Sequence, residues 1–151
     1  MSVTAIVGKC RLLQLAELLE NLPPERFDYS TWVGEDWKGK ADLSCGTTGC
    51  ALGWATTIPS LRKAGLRMRA FLSGNGGYVV LLRNGRKVAE SEKAAEEVFG
   101  ISNKEAIYLF NGTTRPPEKF EDKLKTSPDW DATPKQVAKH IKRFVKGKFP
   151  D

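Results

Sequence analysis

At 151 residues, with a hydrophobic fraction of 40% and an aromatic fraction of 9%, the chain is long enough to bury a core without disulfide or metal staples, and its composition argues against wholesale disorder. No apolar run approaches the roughly 18 residues that span a bilayer, and no basic stretch followed by an apolar one opens the sequence, so neither a membrane span nor a signal peptide is expected. The net charge of +6 is segregated: residues 43–89 carry seven basic and no acidic side chains and residues 132–151 six basic and one acidic, while residues 1–42 and 90–131 are net acidic.

In chain order, Leu12, Leu15, Ala16, Leu19 and Leu22 form a helical stripe with Arg11, Gln14, Glu17 and Glu20 opposite, and Pro23-Pro24 ends that helix. Residues 25–44 are irregular; Phe27, Tyr29, Trp32 and Trp37 make them a packed loop, since four aromatics are costly to leave in water. Thr47 or Thr48 caps a second helix running to about Thr57. Gly49 and Gly53 share one face of it, which calls for close approach of another backbone. Pro59 opens a further helical turn, closed by Gly65. Leu66, Met68, Ala70 and Leu72 alternate with Arg67, Arg69 and Phe71, the period of a strand. Ser73 to Gly77 is a glycine-rich connection, Tyr78 to Leu82 a β-branched and aromatic run, and Asn84-Gly85 a strong hairpin signal, so residues 66–89 should form a three-stranded antiparallel meander. Two helices follow, one over Ser91 to Phe99 stopped by Gly100, the other opened by the capping box Ser102 to Glu105 and ended at Asn111-Gly112. Residues 113–132 read as an extended loop. The last helix starts at Thr133-Pro134-Lys135-Gln136, an N-cap, a proline at N1 and a capping-box glutamine, with Val137, Ala138, Ile141, Phe144 and Val145 as its buried stripe. The expectation is one α+β domain over residues 1–151, mostly helical, with the meander packed on the Leu12 stripe, the helix ending near Thr57 and the final helix.

Several segments carry candidate chemistry. The three cysteines, Cys10, Cys45 and Cys50, are an odd number, which with no export signal suggests reduced thiols in a cytoplasm. Cys45 precedes a helix N-terminus, whose dipole favours a thiolate. A thiol nucleophile also wants a base, and the single histidine, His140, lies about 110° round the last helix from the middle of its apolar stripe. A cysteine-dependent enzyme using Cys45 and His140 is therefore one reading, and small buried free cysteines the other. Three cysteines and one histidine fall short of two close ligand pairs, so no metal and no cofactor are expected. Gly46-Thr47-Thr48-Gly49 offers backbone N–H groups to an anion at a helix start, but lacks the lysine of a phosphate-binding loop. The last helix has the sharper signal. Its polar face is Lys135, Lys139, Lys142, Arg143 and Lys146 with no acid among them, forgoing the mixed-sign pairs usual on a solvated helix and pointing to an anionic partner. Arg67 and Arg69, in line with Phe71, form a second anion candidate.

Leu22-Pro23-Pro24-Glu25-Arg26-Phe27-Asp28, Cys45-Gly46-Thr47, Cys50-Ala51-Leu52-Gly53-Trp54-Ala55, Phe99-Gly100-Ile101-Ser102, Leu109-Phe110 and Thr133-Pro134-Lys135-Gln136-Val137-Ala138 together resemble an uncharacterised family of small proteins encoded by phages and bacteria. The resemblance covers most of the chain and is most specific in the Cys-Gly-Thr to Gly-Trp-Ala block. It carries over no catalytic residue. What it implies is a setting: an accessory or anti-defence protein acting by binding in the host cytoplasm. Residues and resemblance together lead to an expected non-catalytic binder of an anionic partner, which is a nucleotide-like ligand, nucleic acid or an acidic host protein.

Overall fold

The structure, a computed structural model, describes residues 3–26, 51–70, 77–110 and 133–149. The aromatic stretch Phe27 to Trp37, Cys45, Thr47, Thr48 and Gly49, the end of the first expected strand at Phe71 and Leu72, and the expected loop at 113–132 lie outside the described residues.

The architecture is mostly helical with one small antiparallel sheet, an α+β fold. Helix α1 spans Val3–Glu20, starting well before the Leu12 stripe. That stripe is as expected: Leu12, Leu15, Ala16 and Leu19 are fully buried. The preceding turns are helical as well, and apolar residues there extend beyond the buried face, with Ile6, Val7 and Leu13 exposed. Arg11, expected in solvent, donates from Nη1 to the Val98 carbonyl at 2.9 Å; a long guanidinium stem can lie along apolar surface while its head finds a carbonyl. A short 3-10 turn, Pro24–Arg26, follows.

Helix α2, Ala51–Ala55, is buried along its whole length. The small residues Ala51, Gly53 and Ala55 let it sit between α1 and the sheet, both of which it touches. Thr56 and Thr57 close it by donating their hydroxyls to the Gly53 and Trp54 carbonyls, each at 2.7 Å. Helix α3, Pro59–Lys63, takes proline in its first turn. Gly65 then adopts φ +107°, and a β-carbon there would stand 2.1 Å from the Leu82 carbonyl oxygen, so conformation and space both require glycine.

The strands are β1 (Leu66–Ala70), β2 (Gly77–Arg83) and β3 (Arg86–Glu90), in the order β1-β2-β3 and antiparallel throughout. Leu66 and Met68 pair with Leu81 and Val79, while Arg67 and Arg69 pair with Val80 and Tyr78 on the other face. Val79, Val80 and Leu81 are all buried, so both faces of β2 are covered, which explains the unbroken apolar run where a half-buried strand would alternate. The β2–β3 turn has Asn84 and Gly85 both at positive φ, 54° and 76°, the twist-matched hairpin geometry the dipeptide predicts. A bulge interrupts the pairing between Leu81 and Leu82.

Helix α4 (Glu92–Phe99) ends at Gly100 in the left-handed conformation, and α5 (Asn103–Phe110) follows at once. Its capping box is present: the Glu105 N–H donates to Ser102 Oγ at 3.2 Å and the Ser102 N–H to Glu105 Oε1 at 2.9 Å. Phe99 and Phe110 stack with ring centroids 5.5 Å apart. The last helix, α6 (Pro134–Lys148), has the expected reciprocal Thr133–Gln136 cap.

One hydrophobic core joins these elements, with a different arrangement of layers from that expected. The sheet packs chiefly on α2, α3 and α4, whereas α6 packs along α1. The reason lies in α1, whose Leu12 stripe is matched by the Val137–Ile141–Val145 stripe of α6, leaving α2 and α4 to link the helix pair to the sheet.

Candidate functional site

Helix α6 buries Val137, Ala138, Ile141 and Val145 and half-buries Phe144. Lys135, Lys139, Lys142, Arg143 and Lys146 are all exposed on its remaining surface. Lys142 forms an ion pair with Glu20 at the end of α1, and Lys148 forms one with Glu105 at 3.1 Å. Both pairs are partly exposed, so each stabilises little and yields readily to another anion.

Two concavities flank this helix. The first is an open groove of about 530 Å³ between α1 and α6, lined by Lys9 and Leu13 of α1 and by Lys139, Lys142, Arg143, Val145, Lys146 and Phe149. Among the described residues, every polar side chain in that lining is cationic. The second is a cleft of about 410 Å³ between α5 and α6, lined by Lys104, Glu105, Tyr108, Arg143, Phe144, Gly147 and Lys148. Here the charges are mixed. Burial pushes the Glu105 carboxyl upward, but the Ser102 N–H and the Lys148 ammonium outweigh it and hold the group below the usual carboxylate range. Arg143 stands on the ridge shared by both concavities.

The groove thus gathers four of the five α6 cations singled out in the sequence. It adds Lys9 and Leu13, which the sequence reading did not select. Their signal was available: Ile6 and Leu13 are seven residues apart, a helical stripe outside the buried face, with Lys9 between.

The other candidates fare differently. Arg67 is half-buried, and its Nη1 donates to the carbonyl of Arg62 at the end of α3 and to that of Leu66. The guanidinium therefore serves carbonyls left over by a helix end. Arg69 is exposed on the same strand. Cys45, Thr47 and Thr48 lie outside the described residues.

Compared with known proteins, the chain matches no family model, no curated sequence and no solved structure.

His140 differs most from expectation. Read from the helical wheel as lying off the apolar stripe, it is only 3% exposed. Its ring lies 4.5 Å from that of Tyr108, tilted by 54°, and Nε2 is 3.4 Å from the Tyr108 carbonyl oxygen. A carbonyl only accepts, so Nε2 carries the proton and Nδ1 presents a lone pair. That Nδ1 is buried with no hydrogen-bond partner among the described residues. Protonating it would bury a cation beside an acceptor-free space. Burial accordingly lowers the pKa to about 4; the Tyr108 carbonyl opposes this and nearby Arg143 adds to it. An imidazole so enclosed is a packing element under Tyr108, a setting that works against the base role considered for it. Among the described residues, no helix is long and apolar enough to cross a membrane.

Proposed function

We propose that this protein is a non-catalytic binding module whose ligand-facing surface is the cationic side of α6, together with the groove that side forms with α1. The observation that carries this reading is the lining of the groove: among the described residues it consists of cationic and apolar side chains, with Glu20 paired to Lys142 at its edge. A concave surface of one sign concentrates the field and attracts counter-charge. The resemblance to small phage and bacterial proteins supports the setting, an accessory or anti-defence protein that binds a host molecule.

The test is a set of binding isotherms with inorganic polyphosphate, a mononucleotide set and a duplex oligonucleotide at about 50 mM and about 300 mM salt, because affinity carried by charge falls steeply between them. Wild type should bind at least one polyanion at low salt, and Lys139→Glu with Lys146→Glu should abolish that binding while leaving the melting temperature within a few degrees. Equal affinity in wild type and double variant for every probe would refute the reading.

A further inference from the structure

We propose that the partner of the α1–α6 groove is an acidic amphipathic helix of another protein; this rests on the anion-binding reading above and specifies its ligand. Three of the four large apolar side chains exposed among the described residues, Ile6, Val7 and Leu13, lie on α1. Ile6 is 48% exposed and Leu13 is 38% exposed, and their spacing of seven sets them on one line along the helix. Leu13 is also in the wall of the groove, facing the cations of α6 across it. On its α1 side the groove has Leu13 beside Lys9, with Ile6 farther along the same line of the helix beyond the lining, and on its α6 side it has Lys139, Arg143 and Lys146.

Each class of anion can be weighed against that pairing. A phosphate backbone has no apolar face to cover Ile6 and Leu13. A nucleobase presents amino and ring N–H donors, and among the described residues the side chains that line the groove offer it only cationic donors and apolar carbons. A helix with leucine-type residues at i, i+3, i+4 and i+7 and glutamates beside them covers Leu13 and Ile6 with its apolar face and meets Lys9 and the α6 cations with its carboxylates. The groove is concave and runs between two helices of 18 and 15 residues, so a third helix can lie along them. An anionic lipid surface would match the charges but is flat.

The decisive measurement uses the whole protein and a labelled synthetic peptide of about 18 residues, roughly the length of α1, with leucines on one helical face and glutamates on its flanks. Two reference probes are a scrambled peptide of the same composition and polyglutamate. Vesicles of phosphatidylcholine with about 30% phosphatidylserine form a third arm. The amphipathic peptide should bind at least about tenfold more tightly than the scrambled one, and Leu13→Ser or Ile6→Ser, both at exposed positions, should each weaken it by about tenfold. Lys139→Glu with Lys146→Glu should abolish binding. If polyglutamate and the scrambled peptide bind as well as the amphipathic one, and Leu13→Ser changes nothing, the helix partner is wrong while the anion-binding face stands. If only the vesicles bind, a membrane surface replaces the helix. If neither the peptides, the vesicles nor the polyanions bind, both readings fall.

Discussion

The Phe99 carbonyl oxygen lies 2.0 Å from the point where a β-carbon on Gly8 would stand. Helix α1 thus meets the end of α4 with nothing between backbone and backbone. Gly8 is buried within the helix, a position where glycine is ordinarily unfavourable by up to about 1 kcal/mol relative to alanine. Its presence is explained by this contact. Gly8→Ala should therefore lower stability by about 2 kcal/mol through overpacking, despite its better helix propensity. Among the described residues, Gly147, in the last turn of α6, has no atom outside its own stretch of helix within 4 Å of such a β-carbon, so Gly147→Ala should raise stability by a few tenths of a kcal/mol. Denaturant titration of the two variants side by side checks both signs.

The cap of α6 offers a second measurement. Thr133 Oγ1 accepts from the Gln136 N–H at 3.2 Å, and Gln136 Oε1 accepts from the Thr133 N–H at 2.9 Å. Thr133→Ala should cost about 1 kcal/mol, and Gln136→Ala less, since it leaves the hydroxyl cap in place. Because α6 carries the cationic face, Thr133→Ala should also weaken polyanion binding slightly while changing no ligand-facing side chain. Unchanged stability in both variants would show that the cap contributes nothing.

His140 predicts an acid response. The folded state holds its pKa at about 4, against an unfolded value near 6.5. Between those values the unfolded chain binds the extra proton and the folded chain does not, so stability rises with pH there. The contribution is fully present above pH 6.5, falls as the pH drops towards 4, and is lost below it. Its full size is about 3 kcal/mol. His140→Phe keeps a ring against Tyr108 and removes the titration. The difference in unfolding free energy between wild type and His140→Phe should therefore vary with pH from 6.5 to 4 and be flat above 7. A constant difference across that range would contradict the assignment.

The Glu20–Lys142 pair gives a fourth prediction. Its side chains are 40% and 49% exposed, and pairs of that kind contribute less than about 1 kcal/mol. Glu20→Gln should leave stability within about 0.5 kcal/mol and should tighten binding of an anionic probe, because it removes a competing carboxylate from the edge of the groove. Weaker binding in Glu20→Gln would mean that the pair organises the surface instead of competing for it.

Local signals in this chain were legible where chemistry acts over a few residues. The Thr133 and Ser102 caps, the Asn84-Gly85 turn and the left-handed stop at Gly100 each depend on three or four neighbours, and each is found where the sequence places it. The cationic set on α6 was equally visible, since a helical wheel orders Lys139, Lys142, Arg143 and Lys146 without knowledge of the rest of the fold. Tertiary effects were hidden. The burial of His140 depends on Tyr108 of α5, and the role of Gly8 depends on Phe99 of α4. The diversion of Arg67 to the end of α3 depends on how β1 leaves that helix. The groove is hidden for the same reason: it exists only where α1 lies beside α6, and no pattern within either helix announces its neighbour.

Lys142 and Glu20 touch across 122 positions of sequence, and the helices that carry them form the most extensive helix–helix contact among the described elements. Contacts of this span close late, after the entropy of a long loop has been overcome. On the ribosome, where chains grow at roughly 5–20 residues per second, the Leu12 stripe must wait on the order of ten seconds before its mate has been made. During that interval the sheet, α2, α3, α4 and α5 can already assemble with α1 from what has been made, while the side of α1 that α6 will cover still faces the cell. Destabilised variants should therefore fail first as aggregates of nascent chains, and chaperones that hold apolar helices should relieve that failure more than slower unfolding of the finished protein would.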